Sequence, residues 1–192
     1  FGTEVGDAFE EPVLLIKAAW GGHSLYRKFR PPGRGVPEER VNADLIRAVE
    51  RVKKRNEEEG RDDPLPTRGE IREVYGSSYR NMLAEVRGTL ADLGTLFPEL
   101  EGHRPELAGF VWFQGWNDQY QGAETEYAAN MEQFVRDVRR DLDAPGLPFV
   151  IGVMGQNMSK PAKGPMLVIQ QAQLGMEGVA DFEGNLRAVR TD

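Results

Sequence analysis

The sequence predicts an α/β fold built on an open, doubly wound parallel sheet of three layers. Three runs, Val13–Trp20, Gly109–Phe113 and Phe149–Met154, are nearly continuous in apolar residues, the pattern of strands covered on both faces. Stretches with apolar residues at helical spacing separate them, which implies right-handed crossovers with helices on both sides of the sheet. Small and amide residues gather directly after each run, where loops at the ligand-binding edge of such a sheet belong.

Taken in order, "VLLIKAAW" forms the first strand and ends in Gly21-Gly22-His23-Ser24. "RPPGRGVPEE" follows as a proline- and glycine-broken surface loop, expected over the carboxyl edge of the sheet. A helix is expected over Asn42–Glu59, with Leu45, Val49 and Val52 on one face and a charged remainder. The charge run "KKRNEEEGRDD" reads as its solvated end, and "EEEGRDDPLPTRG" as a second surface loop. Glu70–Leu96 reads as helical through Ile71, Val74, Tyr75, Met82, Val86 and Leu93. After the second strand, Glu124–Leu142 gives the clearest amphipathic stripe: Tyr127, Met131, Phe134, Val138 and Leu142. Leu186–Thr191 reads as a fourth strand. The chain opens at Phe1 and stops at Asp192 just after that strand, so residues 1–192 are expected to be one incomplete domain of a longer protein.

Composition narrows the function. With 192 residues, 40 % hydrophobic and 29 % charged, the chain is long enough to bury a real core. A net charge of −7 without a basic stripe argues against a nucleic-acid partner. No apolar run approaches the roughly 18 residues of a membrane helix. The absence of cysteine removes disulfides, thiolate metal sites and cysteine nucleophiles but does not set the compartment. No His/Asp/Glu cluster has metal-ligand spacing, and no phosphate or dinucleotide fingerprint calls for a cofactor.

Three loops then compete for the chemistry: Gly21–Ser24, Gln114–Asp118 and Gly155–Ser159. The second delivers Gln114, Gly115, Trp116, Asn117 and Asp118 from one short strand. Neutral amides suit a developing oxyanion, because they donate to negative charge without titrating. Paired with a backbone N–H from the glycine loop, they would form an oxyanion hole. The other reading is that Asn117 and Asp118 cap the following helix. Trp112 and Trp116 bring aromatic faces that suit sugar rings, although Trp112 fits a buried structural role equally well.

"AWGGHSL" and "WFQGWND" resemble the second and third sequence blocks of SGNH hydrolases, specifically the sialate O-acetylesterase-like carbohydrate esterases. "FGTEVG", "LLIKAAWGGHSLYRKFRPP", "GFVWFQGWNDQY", "YAANMEQFVRDVRRDL" and "PFVIGVMG" extend the resemblance in order along nearly the whole chain. The resemblance implies a flavodoxin-like sheet and serine-dependent deacetylation of acetylated sugars. It places the oxyanion-facing amide on Gly22 and the oxyanion-facing side chain on Asn117, with Gln114 where related esterases also carry glutamine. His23, Ser24, Gln114, Trp116 and Asp118 become substrate-binding candidates. Relatives are often exported, which points toward the periplasm or the exterior.

Two departures accompany it. The family's nucleophilic serine lies in a block before Phe1 and its histidine in a block after Asp192, so the chain itself is expected to be inactive. "GQNMS" at 155–159 imitates the serine block but comes two strands too late. His103 precedes the second strand and so lies toward the opposite edge, while His23 adjoins Ser24, where neighbouring side chains point apart. Neither offers the base a serine needs. The alternatives are a non-catalytic carbohydrate-binding or structural module on the same scaffold, and a flavodoxin-like ligand-binding domain, which lacks a phosphate-cradling loop.

Overall fold

The computed structural model describes residues 2–155 and 160–191. Its sheet contains β1 (Phe110–Trp112), β2 (Phe149–Val153) and β3 (Leu186–Arg190), all parallel and in that spatial order. Phe110 pairs in register with Phe149, and Phe149 with Leu186. Parallel neighbours need crossovers, and each carries a helix: α6 (Glu124–Asp141) joins β1 to β2, and α7 (Pro165–Gly175) joins β2 to β3. The chain is therefore α/β with a parallel sheet, as its apolar runs predict.

Phe134 of α6 anchors the core. It is fully buried, with the rings of Trp112, Tyr79, Phe110 and Phe149 centred 4.4, 5.7, 6.0 and 6.4 Å away. Tyr127, Met131 and Val138 share its face and its burial, so the helical stripe read from sequence is a core stripe. Strand alternation sends Trp112, Phe149, Ile151, Val153 and Leu186 into this core.

The opposite face departs from expectation. Val111 (54 %), Phe113 (64 %), Val150 (37 %) and Val189 (51 %) remain exposed, so the described residues cover the sheet on one side. Two crossovers of one hand, stepping the same way across a sheet, put both helices on one face. α6 and α7 accordingly pack against each other.

Several elements differ from the sequence reading. Val13–Trp20 is not a strand. Leu14, Ile16, Ala18 and Trp20 are half-buried while Val13, Leu15, Lys17 and Ala19 are exposed, the two-residue period of an extended chain. Apolar patterning suffices for that, but a strand also needs a partner's backbone groups, and none of the described residues supplies them. The segment expected as one helix over Glu70–Leu96 is three: α3 (Arg68–Val74), α4 (Ser77–Ala91) and α5 (Leu93–Leu96). Gly76, at φ 72°, makes the first break, and a capping box between Thr67 and Glu70 starts α3. α2 runs Glu38–Glu59, beginning four residues earlier than expected, directly after Pro37. The short α1 (Gly2–Gly6) and the apolar α7 show too little two-sidedness to stand out in sequence.

The "RPPGRG" loop lies along α6 instead of over the carboxyl edge. Gly33 N–H donates to Asp137 Oδ2 at 2.7 Å, Arg34 Nε to Asn130 Oδ1 at 3.0 Å, and Arg30 Nη1 to Glu126 Oε2 at 3.2 Å. Two carboxylates and one amide on one helix hold this loop. Among the described residues, no helix is long and apolar enough to cross a membrane.

One-sided burial has a direct test in denaturant melts. Phe134→Ala should cost about 3–5 kcal/mol, the loss for a large aromatic removed from a packed core. Val111→Thr on the open face should stay within about 0.5 kcal/mol. A cost above about 1 kcal/mol for the latter would mean that face is buried in solution.

Candidate functional site

The site is built where the chain leaves β1. Gly115 is buried because its backbone runs against Met154 and Ile169; a Cβ there would sit 2.5 Å from Met154 Sδ. This close approach directs Gln114 and Asp118 back toward the Gly22–Tyr26 loop. Asp118 is 0 % exposed, and its Oδ2 accepts Leu25 N–H at 2.9 Å while its Oδ1 accepts Tyr26 N–H at 2.7 Å. Gln114 Nε2 donates both to Asp118 Oδ2 at 2.6 Å and to the backbone oxygen of His23 at 3.0 Å. Two of the three loops that the sequence singles out are thus bound together at the carboxyl end of β1.

A second buried polar set fixes the strand end from below. The Tyr127 hydroxyl donates to Gln114 O at 2.8 Å and accepts from Trp112 Nε1 at 3.3 Å. Gln173 of α7 donates through Nε2 to Gln114 O at 2.7 Å and accepts Met154 N–H on Oε1 at 3.0 Å. Both residues are fully buried. Tyr127 reads in sequence as part of a core stripe and Gln173 is silent there, because a hydroxyl's or amide's partner is set by tertiary packing. Burial pushes the Tyr127 hydroxyl well above the ordinary phenol range, so it is a fixed proton donor.

Against this committed background, two groups stand free. Asn117 is half-buried, and its amide makes no hydrogen bond among the described residues. It does not cap: neither the Trp116–Gln119 turn nor α6 has a side-chain cap. Gly22 is exposed at φ 77°, a left-handed conformation that glycine adopts without strain, and its N–H has no backbone partner among the described residues.

The other candidates are placed differently from one another. Trp116 is 45 % exposed. A cleft of about 450 Å³ is lined by Gln119, Lys160, Pro161, Lys163 and Met166, without Trp116. Asp118 departs from its expected contact with substrate, since burial leaves it only the loop to hold. Ser24 is buried, and its Oγ accepts Arg27 N–H at 3.1 Å, closing a turn. His23 is half-buried with both ring nitrogens occupied: Nδ1 lies 2.7 Å from Ser78 Oγ and Nε2 2.9 Å from Lys28 Nζ. An ammonium only donates, so Nε2 is the acceptor and Nδ1 carries the hydrogen given to Ser78. His23 is therefore not a base for Ser78, a pairing that nothing in the sequence signals across 55 residues. Trp112 is buried against Phe134, its structural role. His103 is exposed, before the amino end of β1. Residues 156–159 of the "GQNMS" loop lie outside the described residues. No group of three or more metal-ligating side chains occurs among the described residues.

Asp118 also sets a pH dependence. Burial raises its carboxyl from 3.8 to about 6, against the opposing pull of its three hydrogen bonds. The folded chain then holds the proton more tightly than the unfolded one. The stabilisation this gives is full below pH 3.8 and is lost as pH rises through about 6. Asp118→Asn cannot titrate and presents an amide N–H₂ to one of the incoming donors, so it should lose about 1–3 kcal/mol even at neutral pH. The wild type's advantage over Asp118→Asn should be wider at pH 4.5 than at pH 7.5 by about 2 kcal/mol. Urea melts of both proteins at the two pH values measure it; an equal gap would remove the perturbed carboxyl.

Comparison with known proteins gives the family. Residues 67–184 match the family model described as carbohydrate esterase, sialic acid-specific acetylesterase. A solved structure of a protein from Arabidopsis thaliana aligns with 59 % of this chain at 20 % identity and a TM-score of 0.43. The alignment spans 39 % of that protein's chain. No curated protein matches.

Proposed function

Because the chain belongs to the carbohydrate esterases described as sialic acid-specific acetylesterases, we propose that it supplies the oxyanion-binding part of a hydrolase that removes acetyl groups from sugars. In this reading a serine hydroxyl gives its proton to histidine as it attacks the acetyl carbonyl carbon, and the C=O π pair moves onto oxygen. The Gly22 N–H and the Asn117 side-chain amide donate to that oxyanion. Collapse expels the sugar alkoxide, which takes that proton from histidine; water, deprotonated by the same histidine, then attacks the acyl-enzyme, and the serine leaves as its hydroxyl with acetate released. The serine and histidine come from the two sequence blocks that the resemblance sets outside this chain.

One observation supports the reading above the rest: among the described residues the Asn117 amide has no partner, while its neighbours Gln114 and Asp118 are fully engaged. A donor held on a buried frame and left without a partner is arranged for a charge that arrives only during reaction. Gln114, Asp118, His23 and Ser24 then hold the loops, and Trp116 offers its exposed face to the sugar ring.

In the full-length protein, Asn117→Ala should lower kcat about 10²–10³-fold with little change in KM, the loss for one oxyanion donor. Its melting should stay within about 0.5 kcal/mol of wild type, since no hydrogen bond is removed. Kinetics with an acetylated sugar, paired with a thermal melt, decide it. A melted but fully active variant would withdraw the oxyanion role, and sugar binding without turnover in the wild type would favour a binding module.

A further inference from the structure

The loop that carries Gly22 is held from two sides, and only one of them is the Gln114–Asp118 pair. The other is a closed ring of three residues. The Lys28 backbone oxygen accepts Ser78 N–H at 2.8 Å, Ser78 Oγ meets His23 Nδ1 at 2.7 Å, and His23 Nε2 meets Lys28 Nζ at 2.9 Å. Ser78 stands in the first turn of α4 and is buried. The imidazole thus bolts the residue after Gly22 to α4. Trp20 stacks on the same ring at 6.0 Å and 19°, and Phe29 lies 6.2 Å away.

We propose that His23 is the positioning residue of the Gly22 amide, a latch closed while its ring is neutral and opened when the ring is protonated. This rests on the oxyanion role proposed for Gly22. The neutral ring is required by geometry: the lone pair on Nε2 is what receives the Lys28 ammonium. Protonation puts a hydrogen on Nε2 and a second positive charge beside Nζ, so the contact turns repulsive and the ring must leave Lys28. Because the His23 backbone oxygen is also the acceptor for Gln114, movement of that residue disturbs both attachments of the loop. Burial and the Lys28 charge both hold the imidazole below its ordinary value of 6.5, which keeps the latch closed at neutral pH. The groups facing the ring are Lys28 from its own loop, Ser78 from α4, and the Trp20 and Phe29 rings; Asp118 reaches it only through Gln114.

The sequence contains two histidines, so His103→Gln, at an exposed position, leaves one imidazole to observe. In that background of the whole chain, ¹⁵N NMR should find the His23 ring as the Nδ1–H tautomer, titrating below 6.5. The Gly22 amide cross-peak should move with the same midpoint. Lys28→Met should raise both midpoints together, while the Asp118 transition stays in place. An Nε2–H tautomer would overturn the proposal, as would a Gly22 amide that stays still while the ring titrates. A histidine with a merely structural role would give that second result. The readout needs no turnover, so it is independent of whether Asn117→Ala affects kcat.

Discussion

The Asp118 carboxylate is the interaction on which the site depends. It joins segments 92 and 93 residues apart by accepting two successive backbone N–H groups, and it does so with no exposed surface. Two consecutive amides caught by one carboxylate fix the direction of the chain as well as its position. The conformation of the preceding residues, including the left-handed Gly22, follows from that constraint. Desolvating an ionised carboxylate is costly, and the raised pKa of the group is the visible sign of that cost. A fold keeps such a group where nothing cheaper would hold the geometry.

The same logic explains why the polar residues at the end of β1 divide into committed and free ones. Gln114 meets Asp118 and His23 through its side chain, and Tyr127 and Gln173 through its backbone oxygen. Each member of this lattice restricts the others, and β1, α6 and α7 all contribute to it. Rigid support of this kind is what allows an adjacent amide to remain without a partner and still hold a defined direction. Flexible support would let Asn117 turn back onto the nearest carbonyl.

How much of this could be read in the sequence depends on how local the signal is. The helix around Phe134 and the strands at Phe110, Phe149 and Leu186 were legible because their patterns repeat within one element. Val13–Trp20 carries the pattern of a strand but lacks the partner, and partnership is not a local property. Gly76 interrupts the helix where its N–H donates to the Arg27 backbone oxygen and the Arg30 backbone oxygen leaves little room for a Cβ, again a tertiary fact. At the site, motif resemblance found the residue types Gly22, Gln114, Asn117 and Asp118. It could not sort them into donor and scaffold, since that difference is a list of hydrogen bonds. Ser78, Lys28 and Gln173 left no trace, because a lone serine, lysine or glutamine gains meaning only from what stands opposite it.

The uncovered face of the sheet has a consequence for handling the chain. Val111, Phe113, Val150 and Val189 form an apolar surface next to β1, whose outer edge has no hydrogen-bonded neighbour among the described residues. An unpaired edge beside exposed apolar side chains is a template for adding another strand. The negative net charge opposes such association at low ionic strength, and salt screens that opposition within about 10 Å at 0.1 M. Dilute, low-salt buffers therefore favour the monodisperse chain, and concentrating it in high salt drives it toward self-association.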